Sequence, residues 1–496
     1  MEPHVQPLTP FWTFAVKYGF VIIVLVFYVT AALHFDYTPD DTYIYMQYAK
    51  NIASGDGFAF NAGEPSYGVT GPLWALLIAA GAAMGLDPYI VGKTFDLVFA
   101  SVAVAMVYVL TFFVVRDKRY AVLGAAMYSF DVWFLRWAGS GMESSLSVVL
   151  VLLSFMYVYR NEYHLAAIAA GVLTLVRPEG ALLFAAIQVD NFLNSKEVKP
   201  AFRSFLVSCG LYALAVLPWV LFSALYFGTV IPNTFIAKTS AGFSWESMLA
   251  SFTTIVKIIG SSQGICGLAL MVGLAIFWKR EGWWLIRLDF LGLLWIVLLP
   301  LAYIVLSVQV VSRYLLMVSP FIVIYGLWGL KRLEEEWKLP ERTAMAALAV
   351  VAVLSVGLNQ YVYYDKVVPH MEQFAAGMND ALKPIAYWLH ESTDADAVVL
   401  TPDVGLIGYV SGRRMFDTAG LVTPAVKKAF GNITYNEGMR KQLYKSVVEP
   451  DYILDRGDEP ERLASPDILP VMTGMFPSMS VTNPEKEYYT LYKVAR

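Results

Sequence analysis

Two adjacent carboxylates, Asp40 and Asp41, open the stretch "TPDDTYIYMQYAKNIASGDGFAFN", just beyond the first long apolar run of the chain. Carboxylates in that position could take a proton from a hydroxyl at a membrane surface. They could equally satisfy the free N–H groups of a helix start. Thr38 suits an N-cap and Pro39 the first helical position, so Thr38–Asp41 fits a variant capping box. The capping role explains Asp41 better than Asp40, which leaves Asp40 as the stronger candidate for a base.

Four further constellations could join that chemistry. "SGMESS" places Glu143 at the start of a span, where it is either a favourable helix-terminal charge or a second active-site acid. "LVRPEG" interrupts an apolar hairpin with Arg177 and Glu179, a turn-stabilising pair or a site for a polar headgroup. In "YFGTVIPNTFIAKTS" a Pro232-Asn233 turn precedes Lys238, which is either a snorkelling lysine or a point charge for phosphate. In "VQVVSRYLL", Arg313 beside Tyr314 is an interfacial anchor or a bidentate phosphate ligand. The five histidines form no cluster, and the sequence holds no Walker A loop, HExxH or GxSxG. Cys209 and Cys266 sit in apolar segments and read as core residues.

The elements that must position these residues are membrane helices. The chain is 57% hydrophobic and 15% charged, with a mean hydropathy of +0.55. These values exclude a soluble globular protein. Apolar runs fall near 14–34, 90–115, 120–137, 144–160, 163–176, 180–194, 204–226, 260–278, 289–308, 314–331 and 342–362. The first reads as an uncleaved span. The segment 70–86, "TGPLWALLIAAGAAMGL", is at the lower limit for crossing a bilayer. If it does not cross, the loops bearing Arg116/Lys118/Arg119, Arg160, Lys196/Lys199/Arg203, Lys279/Arg280/Arg287 and Lys331/Arg332/Lys338/Arg342 all share one face, as the positive-inside rule requires. The carboxylates and cations above then share the opposite face.

The predicted fold is therefore a polytopic α-helical membrane protein of about 11 spans plus interfacial helices, with a small C-terminal α/β domain. Residues 1–362 make the membrane module, with 35–88 as its first outer loop, and 363–496 the C-terminal domain. Within 38–55 the spacing predicts a helix lying in the interface. Gln47, Lys50, Asn51 and Ser54 form its polar stripe, and Gly55 ends it. In the C-terminal domain, "DADAVVLTPDVGLIGYVSGRRMFDTAGL", "PDYIL" and "YYTLYKV" read as strands and turns, and 376–392 and 435–447 as helices.

The stretch "PDDTYIYMQYAKNIASGDGFAFNAGEPSYGVTGPLW" resembles the first-loop signature of bacterial GT-C glycosyltransferases. The group it is most similar to is the terminal arabinofuranosyltransferases and their relatives. The resemblance continues in order through "SGMESS", "RPEG", "IPNTFIAK", "RYLL" and "DVGLIGYVSGRRMFDTAGL". It departs at Gly71, where Thr or Asn is usual, and at Gln47, where a basic residue is common. It implies a GT-C fold in a bacterial inner membrane and a site and C-terminal domain on the periplasmic side. It further implies a polyprenyl-phosphate-sugar donor and a glycan or glycolipid acceptor. Residue by residue, Asp40 matches the catalytic aspartate, Asp41 its acidic neighbour and Glu143 the acid of the second outer loop. Asp41 and Glu143 would hold a divalent cation (Mg or Mn) if one is used. Tyr43, Glu64, Glu179, Asn233 and Tyr314 would support the substrate site.

The residues fit that chemistry on their own terms. Polyprenyl phosphate is a good leaving group, so only a base for the acceptor hydroxyl and cations such as Lys238, Arg313 or Arg177 for the departing phosphate are needed. One displacement inverts the anomeric centre, through oxocarbenium-like charge. The rival readings are a transporter or flippase of lipid-linked sugars, and a glycan-binding membrane scaffold without turnover. The first predicts internal repeat symmetry, which the sequence lacks.

Overall fold

The computed structural model describes residues 19–234, 244–281, 290–431, 433–479, 481 and 485–495. The membrane module is a helical bundle. In chain order its helices are α1 (Phe20–Ala32), α2 (Asp40–Ser54), α3 (Pro72–Ala83), α4 (Pro88–Val115), α5 (Lys118–Ser129), α6 (Val132–Trp137), α7 (Ser144–Tyr159), α8 (Tyr163–Val176), α9 (Glu179–Asn194), α10 (Val198–Tyr226), α11 (Trp245–Glu281), α12 (Phe290–Val305), α13 (Ser319–Glu336) and α14 (Glu341–Val362). Among the described residues, four helical stretches are long and apolar enough to cross a membrane by length and composition. Leu214 on α10 and Leu225 near its end remain 71% and 87% exposed, an apolar surface suited to acyl chains and not to water.

Helix α3 has 12 residues, about 18 Å at 1.5 Å per residue, against a hydrocarbon core of about 30 Å. It packs on α2 and α4. At one end of the bundle the charged loops are tied together. Arg119 pairs with Asp117 and Glu341, Lys331 with Asp117 and Glu334, and Arg280 with Glu336. The loops around Asp41, Glu143, Arg177 and Arg313 meet at the other end.

Helix α2 departs from its expectation in two respects. Its N-cap position is Pro39, with no side-chain capping bond. Thr38 instead meets Lys93 and Tyr89, so no capping box forms. Nor does α2 float in an interface. Gln47 and Asn51 are buried, donating to the carbonyls of Ala59 and Phe60. Their amides fold the following loop back onto the helix, which is packed against α3 on one side and the C-terminal domain on another. The helix ends at Gly55, whose φ of 84° only glycine adopts cheaply.

The backbone stays helical past Val362. Two π-turns, Tyr363–Val367 and Met378–Leu382, join α14 to α15 (Val368–Gly377) and α16 (Lys383–Ser392) in one run. A five-stranded sheet follows, in the order β2 (Arg414–Asp417), β1 (Val398–Thr401), β3 (Tyr452–Gly457), β5 (Glu487–Val494), β4 (Ile468–Phe476). β2, β1 and β3 are parallel, and β5 and β4 antiparallel. Helices α17 (Gly405–Ser411), α18 (Pro424–Phe430) and α19 (Tyr435–Arg440) complete the domain. The edge strand β4 has no sequence signal because it is mostly exposed and carries Pro470 beside a bulge.

Candidate active site

A cavity of about 290 Å³ opens at the end of the bundle opposite the basic loops. Asp41, Glu143, Arg177, Glu179, Arg313, Tyr303 and Tyr314 line it, with Leu182, Leu299, Ala302 and Leu306 from α9, α12 and the turn after α12. Arg313 Nη2 lies 2.5 Å from Asp41 Oδ2. Arg177 donates from Nη1 to Glu143 Oε1 (2.9 Å) and from Nη2 to Glu179 Oε1 (3.1 Å). The Tyr303 hydroxyl donates to the same Glu179 oxygen at 2.6 Å. The ring of Tyr314 is shared by the two guanidinium groups, at 4.8 Å from Arg177 and 5.5 Å from Arg313.

Three carboxylates thus meet two guanidinium groups in a largely apolar chamber. Asp41 is the accessible member, its side chain 39% exposed against 9% for Arg313 and 3% for Glu143. Several buried atoms here lack a partner: Glu143 Oε2, Glu179 Oε2, and the Nε of Arg177 and Arg313. Buried polar atoms are ordinarily paired, so this set points to a polar ligand.

Asp40 faces a different way. Its Oδ2 accepts from the Gly405 N–H (2.9 Å) and its Oδ1 from the Leu406 N–H (2.8 Å), both on α17 of the C-terminal domain. Burial and the nearby Asp403 push its carboxyl up to about 7, against the two N–H donors that pull it down. Asp40 does not line the cavity, whereas Asp41, which spacing favoured for the helix cap and the resemblance made the acidic neighbour of the base, does.

Two residues that sequence reasoning passed over hold the loops that carry the site. Lys93 Nζ, fully buried, donates to Tyr37 O (2.8 Å) and Thr38 Oγ1 (2.9 Å). One turn on, Asp96 Oδ2 accepts from Gly141 N (3.0 Å) and Ser140 Oγ (3.2 Å). The pair fixes the residues before Asp40 and the loop before Glu143. Charged residues three apart in an apolar helix were the available signal. Gly141 is required there, because its φ is 86° and a Cβ would lie 2.7 Å from Thr42 Cγ2.

Of the other expected site residues, Tyr43 packs between Tyr89 and Tyr409, facing the C-terminal domain. Glu64 pairs with Arg414 of β2. Asn233 donates to the carbonyls of Tyr67 and Leu421 beside the cavity. Lys238 lies outside the described residues. The two departures from the signature have local reasons. A Cβ on Gly71 would lie 2.5 Å from Val176 O, and Gln47 is committed to Phe60 O.

The fold superposes on ArnT from Cupriavidus metallidurans in the apo state, over 96% of this chain and 98% of that one, with a TM-score of 0.59 and 13% identity. The chain has the GT-C fold. A second ArnT structure, bound to undecaprenyl phosphate, shares the GT-C fold at a TM-score of 0.55 and 14% identity, over 97% and 98% of the two chains. The archaeal oligosaccharyltransferase AglB from Archaeoglobus fulgidus, in complex with an inhibitory peptide and a dolichol-phosphate, matches 89% of this chain and 69% of its own at a TM-score of 0.56 and 12% identity. In sequence, 234 residues are 28% identical to the terminal beta-(1->2)-arabinofuranosyltransferase of Mycobacterium tuberculosis (strain ATCC 25618 / H37Rv). That match covers 42% of this chain and 36% of the relative, so the chain spans about a third of the relative's length. Residues 370–493 match the family described as "Domain of unknown function (DUF8728)".

A divalent cation fits the described residues poorly. Asp41 and Glu143 each hold an arginine, and no group of three or more His, Cys, Asp or Glu side chains is arranged for a metal among the described residues.

Proposed function

We propose that this GT-C protein is an inverting glycosyltransferase of a bacterial inner membrane. It moves a sugar from a polyprenyl-phosphate donor to a cell-envelope glycan or glycolipid on the periplasmic face. The observation that carries the reading is one chamber that combines an accessible carboxylate, two arginines with unfilled donors and an apolar wall made by the bundle. The sequence match to an arabinofuranosyltransferase favours a pentofuranosyl donor.

The acceptor hydroxyl gives its proton to Asp41 as its oxygen bonds to the anomeric carbon. The bond from that carbon to the phosphate oxygen breaks on the opposite face, and the electron pair stays on the polyprenyl phosphate. Arg313 and Arg177 stabilise the charge that grows there. Tyr314 lies against both cations, and Tyr303 holds Glu179, which pairs with Arg177. The apolar wall made by Leu182, Leu299, Ala302 and Leu306 offers a surface for the polyprenyl chain. In this reading Asp40 anchors the C-terminal domain.

The test is release of polyprenyl phosphate by the purified protein from a synthetic polyprenyl-phosphoryl arabinofuranose with an arabinofuranosyl glycoside acceptor. Release and an inverted product are expected. Movement of the lipid across vesicles without release would support a transporter instead.

A further inference from the structure

One wall of the cavity is not made by the membrane module. Leu421, from the C-terminal domain, lines it beside Gly68, Val69 and Thr70. Its position is fixed from both sides. Asp417, fully buried at the end of β2, accepts the N–H groups of Leu421 (2.5 Å), Val422 (2.9 Å) and Thr423 (2.6 Å), folding the loop around one carboxylate. From the membrane module, Asn233 Nδ2 donates to Leu421 O at 3.2 Å. Gly68 leaves room for that carbonyl, since a Cβ there would lie 2.8 Å from it.

We propose that the loop from Asp417 to Thr423 is the acceptor-side wall of the cavity. Leu421 sets how wide an acceptor can enter, and Asp417 and Asn233 are the positioning residues that hold it. The inference rests on the glycosyltransferase reading above. A lipid donor arrives from the side of Leu182, Leu299 and Leu306, all on or next to bundle helices, and lays its phosphate toward Arg177 and Arg313. The acceptor must then approach Asp41 from the remaining side, where the C-terminal domain supplies Leu421. The cavity is complete only while that domain is docked, which Asp40 secures through Gly405 and Leu406. Domain recognition and bond formation therefore share one surface. The "FDTAGL" stretch is explained as a strand end, a carboxylate that gathers three N–H groups, and the residue thereby presented.

The full chain in lipid nanodiscs provides the test. Undecaprenyl phosphate probes the donor side, and synthetic polyprenyl-phosphoryl arabinofuranose with arabinofuranosyl mono-, di- and trisaccharide acceptors probes the other. Leu421→Trp should raise the acceptor KM at least tenfold, most for the largest acceptor, with the Kd for undecaprenyl phosphate within twofold of the parent. Leu421→Ala should narrow the difference among acceptors. Asp417→Asn should raise the acceptor KM with little change in kcat, because it displaces the wall and leaves the reacting groups in place. If Asp417→Asn fails to fold, the two Leu421 variants still decide the matter. Unchanged acceptor KM in both, or weakened undecaprenyl phosphate binding in step with KM, would overturn the acceptor-side assignment. A parent protein that neither binds undecaprenyl phosphate nor releases it would overturn the glycosyltransferase reading, and the wall with it.

Discussion

Asp40 and Asp41 are consecutive residues of one helical turn, yet they belong to different structures. Asp41 Oδ2 meets Arg313 Nη2 at 2.5 Å in the cavity. Asp40 holds two backbone N–H groups of the C-terminal domain at 2.8 and 2.9 Å. One peptide bond thus couples domain docking to the proposed base.

The arginines should separate from the carboxylates in binding. Arg313→Gln removes a charge-assisted contact to phosphate worth about 1.5–3 kcal/mol, so undecaprenyl phosphate should bind roughly 10- to 150-fold more weakly. Arg313→Lys should recover only part of this, because a lysine lacks the planar fork. Calorimetry with undecaprenyl phosphate checks both, and binding as tight as in the parent would remove Arg313 from the phosphate site.

Docking of the C-terminal domain should depend on pH through Asp40. Its docked carboxyl is pushed up to about 7 by burial and Asp403, against about 4 when free in water. The docked form therefore binds the proton more tightly. That contribution to docking is complete below pH about 4 and fades as pH rises through 7. Hydrogen exchange at residues 405–411 should accelerate between pH 5 and pH 8 beyond its intrinsic rate, and Asp40→Asn should flatten the change.

Lys93→Met should destabilise the module by about 1–3 kcal/mol, since Tyr37 O and Thr38 Oγ1 each lose the buried donor Lys93 supplies. A lower melting temperature in detergent, with activity lost in parallel, is expected. An unchanged melting temperature would mean that the loop is held by other contacts.

Restoring the residue usual in the resembling family at position 71 should harm this protein. The Cβ of Gly71→Thr would press on Val176 O, at a cost of about 1–3 kcal/mol. Thermal unfolding measures it, and a stabilised variant would contradict the packing described.

Much of the site was legible because charges are scarce in so apolar a chain. Glu143, Arg177, Glu179, Arg313 and Tyr314 were singled out as interruptions of apolar runs, and the structure gathers them around one cavity. What stayed hidden depends on contacts between distant segments. Asp40 and Gly405 meet across more than 360 residues, so local spacing gave Asp41 the capping role and Asp40 the chemistry, whereas the cavity receives Asp41. Gln47 and Asn51 read as a solvated stripe because no pattern foretells that a loop eight to thirteen residues on will bring its carbonyls to them. Tyr303 and Leu421 carry no charge and so gave no signal. What speaks against a span at 70–86 is the distribution of lysine and arginine, a property of the whole chain, and the helix there, α3, has 12 residues.

The central claim is that Asp41 is the base and Asp40 the anchor. Release of polyprenyl phosphate from polyprenyl-phosphoryl arabinofuranose by Asp41→Asn and Asp40→Asn, each checked for folding, tests it most directly. The account predicts a loss of about 10²–10⁴-fold for Asp41→Asn, the range for a general base, and a much smaller loss for Asp40→Asn. Full turnover in Asp41→Asn, with none in a folded Asp40→Asn protein, would contradict it.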